Sequence, residues 1–113
     1  MKIKTAYLTG PALNWAVASS DGRPRDVRTF QAGYFDYSMY HYSTDWAQGG
    51  PLLNQHKISR TIDHSGLWIA YAGYNLNDEQ RHMQCDRSEL VAGLRCLVAL
   101  NLGEVVDVPE ELL

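Results

Sequence analysis

Apolar positions along this chain fall into two helical segments and several short alternating ones, and their order lays out the fold. After a brief Lys2-Ile3-Lys4 opening, Thr9-Gly10-Pro11 marks a helix start, because Thr9 can cap free amides and the fixed φ of Pro11 suits a first turn. Leu13, Ala16 and Val17 follow at helical spacing and predict an amphipathic helix ending near Ser19-Ser20. Trp15 falls on the flank of that stripe, where a half-buried packing role is expected. The second helical segment is the clearest in the chain. Ser88 caps it and Glu89 adds favourable charge to its first turn. Leu90, Val91, Leu94, Leu97 and Val98 form its apolar stripe, and Gly103 stops it.

Strand signals lie between and after these helices. Asp21-Gly22-Arg23-Pro24 has the composition of a turn. Val27 to Phe30 and Tyr34 to Tyr37 are predicted strands joined through Gln31-Ala32-Gly33, with Met39 to Tyr42 extending the second. Ile58-Ser59-Arg60-Thr61-Ile62 alternates apolar and polar, as a half-buried strand does. Trp68 to Ala72 is a further strand, reached through Asp63-His64-Ser65-Gly66. Asn75 to Arg87 is polar and aperiodic, which predicts loop, and Val105 to Val108 is a last short strand before Pro109. The pattern defines an α+β fold: a small antiparallel sheet packed with two helices, the longer one C-terminal, in a single domain spanning residues 1–113.

The stretch from Ser43 to Pro51 fits neither period. Ser43, Thr44 and Asp45 can bond nearby amides, Gly49-Gly50 permits positive φ or close backbone approach, and Pro51 favours an extended Gly50. These residues are expected to be irregular, with at most a helical turn from Leu52 to His56.

Composition narrows the function. A formal charge of -3 with 20% charged residues argues against broad non-specific nucleic-acid binding, which wants a clustered basic face, and leaves room for a local basic patch from Lys2 and Lys4 or from Arg23, Arg25 and Arg28. No run approaches the roughly 20 apolar residues of a membrane span, and no signal peptide opens the chain. Cys85 and Cys96 are read as free thiols of a reducing compartment.

No catalytic motif stands out. His82-Met83-Gln84-Cys85 has the spacing of one zinc-ligand pair but lacks a second, so a polar loop ending in a semi-buried thiol is the preferred reading, without metal or cofactor. Gly49-Gly50-Pro51 lacks the lysine and following helix of a P-loop, and no nucleophile elbow is present.

Aromatic residues carry the functional signal instead. Tyr37, Tyr40, His41, Tyr42 and Trp46 crowd a predicted strand end and glycine loop, more rings than a small core needs. Flat rings stack on bases, and arginine pairs with phosphate. Tyr40, His41, Tyr42, Ser43, Thr44, Asp45, Trp46, Gln48, Gly49, Gly50, Arg60 and Trp68 are therefore the expected ligand-binding residues, with Arg28 a second source of charge. The same set suits a protein–protein hot spot, where Trp, Tyr and Arg are enriched.

Several blocks give the chain a resemblance. Leu8-Thr9-Gly10, Leu13 to Ala18, Tyr42 to Leu52 with its Ser-Thr-Asp-Trp-Ala-Gln-Gly-Gly-Pro run, Leu94 to Gly103, and Val106 to Leu113 are similar to the NinX-type family of small tailed-phage proteins, which has no assigned activity. The segments from Ser20 to Phe35 and from Gly66 to Arg87 diverge, and Ser88-Glu89 replaces a Thr-Pro pair common in the family. The resemblance implies a protein made in the cytoplasm of an infected bacterium. Small phage accessory proteins often work by binding. Together with the aromatic cluster, this gives as first expectation a non-catalytic, homo-oligomeric protein that sequesters a nucleotide-like signal of host defence. The alternative is an interaction module that inhibits or redirects a host protein. A third reading, a nucleotide-cleaving enzyme, requires folding to gather Asp45 and the histidines into a site.

Overall fold

The computed structural model describes residues 1–20, 41–72 and 82–113. In chain order these form β1 (Lys2–Lys4), α1 (Gly10–Ser20), α2 (Trp46–Gln55), β2 (Ile58–Ile62), β3 (Trp68–Ala72), β4 (Gln84–Asp86), α3 (Glu89–Leu102) and β5 (Val105–Asp107). Single 3₁₀ turns occupy Thr5–Tyr7 and Glu110–Leu112. The fold is α+β and its longest helix is the C-terminal one, as the apolar pattern predicts. Two features differ from expectation. The described residues hold three helices, not two, and their strands form two antiparallel sheets, β2-β3-β4 and β1-β5. The predicted turn at Asp21 to Pro24 and the strands at Val27 to Phe30 and Tyr34 to Tyr37 lie outside the described residues.

Helix α3 is the centre of the molecule. Its start is fixed by Ser88, whose Oγ accepts the Val91 N–H at 3.2 Å, while the Ser88 N–H donates to Asp86 Oδ2 at 2.9 Å. It ends at Gly103, where φ of 97° would strain any side chain, and the Gly103 N–H donates to the Ala99 carbonyl. Burial runs unbroken from Ala92 through Ala99, so the helix has no solvent face over two turns. The predicted stripe is buried at Leu90, Leu94, Leu97 and Val98, with Val91 half-buried. Its opposite side is covered as well. The sheet packs on one flank of α3, and α1 and α2 pack on others. Gly93 makes one of these approaches possible: a Cβ there would lie 2.7 Å from Leu53 Cδ1 of α2.

Helix α1 also departs from the expected amphipathic form. Every residue from Ala12 to Ser19 is buried, and Trp15, expected half-buried, is only 6% exposed. Three alanines in that span leave little side-chain bulk, so a short helix can be enclosed on all sides.

The β2–β3 hairpin matches its sequence signal. Ile58 pairs with Ala72, Arg60 with Ala70 and Ile62 with Trp68. Asp63 sets the turn: its Oδ1 accepts the N–H groups of Ser65 and Leu67 and the Ser65 hydroxyl, at 2.6–3.0 Å. These bonds, the Ser65 hydroxyl first, hold its carboxyl below the usual range. The loop expected from Asn75 to Arg87 is corrected in part, because Gln84–Asp86 is strand β4, paired with Trp68 to Ala70. A three-residue strand of Gln, Cys and Asp shows no apolar alternation. Its polar side chains are instead satisfied in place, Gln84 by Glu104 and Asp86 by Arg95 and Ser88.

Candidate functional site

The segment expected to be irregular is mostly helix. Asp45 caps α2, accepting the Ala47 N–H on Oδ1 at 2.9 Å, and its carbonyl accepts from Gln48 and Gly49. Gln48 reaches back so that its Oε1 accepts the His41 N–H at 2.8 Å, and the His41 carbonyl accepts from the Asp45 N–H at 2.8 Å. Asp45 and Gln48 thus act much as the two ends of a capping box. Met39 to Tyr42 was expected to continue a strand, but His41 and Tyr42 belong to this turn into the helix. Pro51 lies inside α2. Its missing N–H and its ring both work against a helix interior, and the burial of Leu52 and Leu53 beside it compensates.

Gly49 is where α2 meets the rest of the protein most tightly. A Cβ there would stand 2.5 Å from the Tyr42 carbonyl oxygen and 2.8 Å from Leu90 Cδ1. Of the two roles its sequence allows, close approach is therefore the one used, and Gly49 has helical φ.

The expected binding residues differ in burial. Tyr42, Ser43 and Gly49 are buried, with the Ser43 N–H donating to Asn14 Oδ1 of α1 at 2.9 Å. Trp68 is partly buried against the core. His41, Thr44 and Trp46 are exposed, and Asp45, Gln48 and Gly50 lie at the boundary. Tyr40, like Tyr37 and Arg28, lies outside the described residues.

Folding joins Trp46 to Arg60. Arg60 shares a face of the sheet with Ala70, and its stem runs across α3, where a Cβ on Gly93 would lie 3.4 Å from Arg60 Cδ. Its guanidinium emerges 6.0 Å from the centroid of the Trp46 ring. Arg60 Nε donates to Glu89 Oε1 at 3.0 Å and Nη1 to the Ile58 carbonyl at 3.0 Å. Trp46 keeps 48% of its surface exposed, and it lies over Gly50, whose absent Cβ would be 3.3 Å from Trp46 Cε3. The result is an indole held at the surface beside a guanidinium that is already partly neutralised.

Sequence reasoning missed Glu89 as the partner of Arg60, having given it only a capping role, and missed Asn14 altogether. A polar residue inside the apolar run Ala12 to Ala18 was the available signal for Asn14. For Glu89 there was none, because its partner lies 29 residues away.

The remaining reactive side chains sit elsewhere. Cys85 and Cys96 are both free thiols, as read, although Cys85 is exposed instead of semi-buried. Burial, and then the charge of Glu104, push the Cys96 thiol up to about 12. His82 faces Glu104, with 3.4 Å between His82 Nδ1 and Glu104 Oε1.

Fold and surface together define a small α+β protein built around one enclosed helix, with an aromatic–arginine pair displayed where a second helix meets the sheet. The chain belongs to the family described as Bacteriophage P22, NinX, whose model matches residues 4–101. The family resemblance drawn from blocks such as Tyr42 to Leu52 is thereby confirmed, the block from Val106 to Leu113 lying beyond the matched residues, and the chain is a phage protein. No curated protein matches it. Among the described residues, no helix is long and apolar enough to cross a membrane.

Proposed function

We propose that this protein is a non-catalytic binding protein of the infected bacterial cytoplasm that engages a host protein through the Trp46–Arg60 surface. One observation carries the reading: Trp46 stays 48% exposed although its ring lies over Gly50 and beside Arg60. A large aromatic immobilised before binding loses little entropy on contact, which is the property of an interface anchor. The paired Glu89 suits this role too, since Arg60 enters an interface with its charge already met.

Sequestration of a nucleotide-like host signal is the second reading, supported by the flat exposed indole, on which a base can stack. Phosphate binding at this segment has less support. The Gly49 N–H is taken by the Asp45 carbonyl, the Asp45 carboxylate occupies the helix N-terminus, and Arg60 is bound to Glu89. A homo-oligomer closing over one ligand belongs with this second reading.

Native mass spectrometry of tagged wild-type and Trp46→Ala protein from infected-cell lysates tests both. A host protein held stoichiometrically by wild type and lost from the variant is the expected result. A nucleotide mass on a dimer would transfer support to the second reading. An identical spectrum for the two proteins would overturn the role of this surface.

A further inference from the structure

A second concave site lies away from Trp46, and the exit of α3 builds it. After Gly103 ends the helix, the Glu104 carbonyl accepts the Thr5 N–H at 2.8 Å and the Thr5 hydroxyl donates to the Gly103 carbonyl at 2.7 Å. These bonds dock the Thr5–Tyr7 turn beside the end of the sheet. Tyr7, Leu67, Ile69, Met83, Gln84 and Glu104 then line a cleft of about 620 Å³, a size that suits a small molecule or a large side chain. Tyr7 and Met83 stand exposed at 70% and 54% on its rim.

Glu104, itself exposed, supplies a charge beside these apolar walls. Its Oε2 accepts from Gln84 Nε2 at 3.0 Å, and Gln84 is itself buried at 6% exposure. Its Oε1 faces His82 Nδ1 at 3.4 Å. A carboxylate has about four acceptor positions, and the contacts to Gln84 and His82 are two of them among the described residues. Among the described residues, no Lys or Arg lies within ion-pair distance of it. The carboxylate is thus oriented by Gln84 and His82, open to solvent beside apolar walls and an aromatic ring, and among the described residues no Lys or Arg pairs with it.

We propose that this cleft is a binding site for an organic cation, a guanidinium, amidinium or ammonium group carried on an apolar or aromatic body. The cation would pair with Glu104 and its body would lie against Tyr7, Ile69 and Met83. A planar guanidinium or amidinium fits best, since it can meet a carboxylate with two parallel N–H bonds. Anions are disfavoured by the same carboxylate, and an uncharged body of the same shape forfeits the ion pair. The chemistry is shared by an arginine side chain of a partner polypeptide and by a free small molecule.

Two probes distinguish these sources: benzamidine, and the blocked tripeptide acetyl-Phe-Arg-Phe-amide. Each is titrated into the isotopically labelled full chain, with amide chemical shifts read by NMR and benzamide and benzoate as neutral and anionic controls. Benzamidine is expected to give saturable shifts at Tyr7, Ile69, Met83 and Glu104 with an affinity of about 0.1–1 mM. Benzamide should bind about tenfold more weakly, and benzoate should not bind. A tripeptide that binds more tightly than benzamidine assigns the site to polypeptides, and the reverse assigns it to small molecules. Glu104→Gln keeps an acceptor for Gln84 and should weaken both probes by about tenfold. Met83→Lys, on the exposed rim, places a competing cation at the mouth and should weaken them without touching the floor, which keeps the test open if Glu104→Gln is poorly folded. Absence of saturable shifts with both probes, benzamide binding as well as benzamidine, or unchanged binding in Met83→Lys and a folded Glu104→Gln would overturn the proposal.

Discussion

Arg95 Nη1 of α3 lies 3.1 Å from Asp86 Oδ1 of β4, within a set of contacts that ties three distant parts of the chain together. The same guanidinium donates from Nε to the Leu8 carbonyl at 2.8 Å and from Nη1 to the Cys85 carbonyl at 3.1 Å. Arg95 is only 9% exposed, so its charge is acceptable there because each of these acceptors meets it. Asp86 in turn holds the Ser88 N–H, which links the ion pair to the start of α3. Arg95→Ala should therefore destabilise by about 1–3 kcal/mol, the cost of leaving buried acceptors such as the Leu8 carbonyl unpaired. Urea unfolding measures this, and a loss below about 1 kcal/mol, the range of an exposed pair, would show that the network is dispensable.

Gly49 and Gly50 are adjacent in sequence yet should respond in opposite ways to alanine. A Cβ at Gly49 meets a backbone oxygen and buried Leu90, neither of which can retreat cheaply, so Gly49→Ala should cost about 1–3 kcal/mol. A Cβ at Gly50 meets only the exposed Trp46 ring, and alanine gains helix propensity of about 0.8–1 kcal/mol. Gly50→Ala is expected to be neutral or stabilising, and thermal melts of the two variants should fall on either side of wild type.

Leu94 sits at 0% exposure in the middle of α3, with neighbours on every side. Leu94→Ala should cost about 2–5 kcal/mol through lost burial and the cavity left behind. A shift in melting temperature of only a degree or two would mean that the site collapses around the smaller side chain.

Trp46 and Tyr42 separate surface from core within four residues. Trp46→Ala should change stability by no more than about 1 kcal/mol, because half of the ring is already in water. Tyr42, at 8% exposure, should cost about 3 kcal/mol or more when cut to alanine. If Trp46→Ala unfolds the protein as readily as Tyr42→Ala, Trp46 is a structural residue and the proposed interface loses its anchor.

The two thiols should differ in reactivity. Cys85 is exposed and should react with a thiol reagent in the native protein at pH 8, while Cys96 should react only after denaturation. Burial raises the native Cys96 pKa from 9.0 to about 12. The unfolded state therefore gives up this proton first as pH rises. The stability linked to Cys96 is intact below about pH 9 and declines from there to about pH 12. Unfolding curves across that window should show the decline, and Cys96→Ala should remove this component of it.

Much of the scaffold was legible because its signals are local. The Ser88 cap and the Gly103 stop bracket α3 correctly, since each acts within one turn of its own position. The β2–β3 hairpin was legible as well, because a turn and the strands that flank it are near neighbours in sequence. Local rules failed at α2, where Gly-Gly-Pro argues against a helix. There the loss of a backbone bond at Pro51 is outweighed by a cap assembled from Asp45, Gln48 and His41 and by Leu53 packing against Gly93, partners as far as 40 positions away.

The site divides along the same line. By itself, the sequence determined that rings and polar groups gather between His41 and Gly50, and that Arg60 stands on a half-buried strand. Only the tertiary structure decided which of those rings belong to the core. Tyr42 is buried next to Ser43, whose N–H bonds Asn14, and Trp46 turns outward over Gly50 toward Arg60. Composition gives a ring the same drive toward burial in either place, whereas the space left by Gly49, Gly50 and Gly93 fixes where α2 can lie and thereby which face of it meets water.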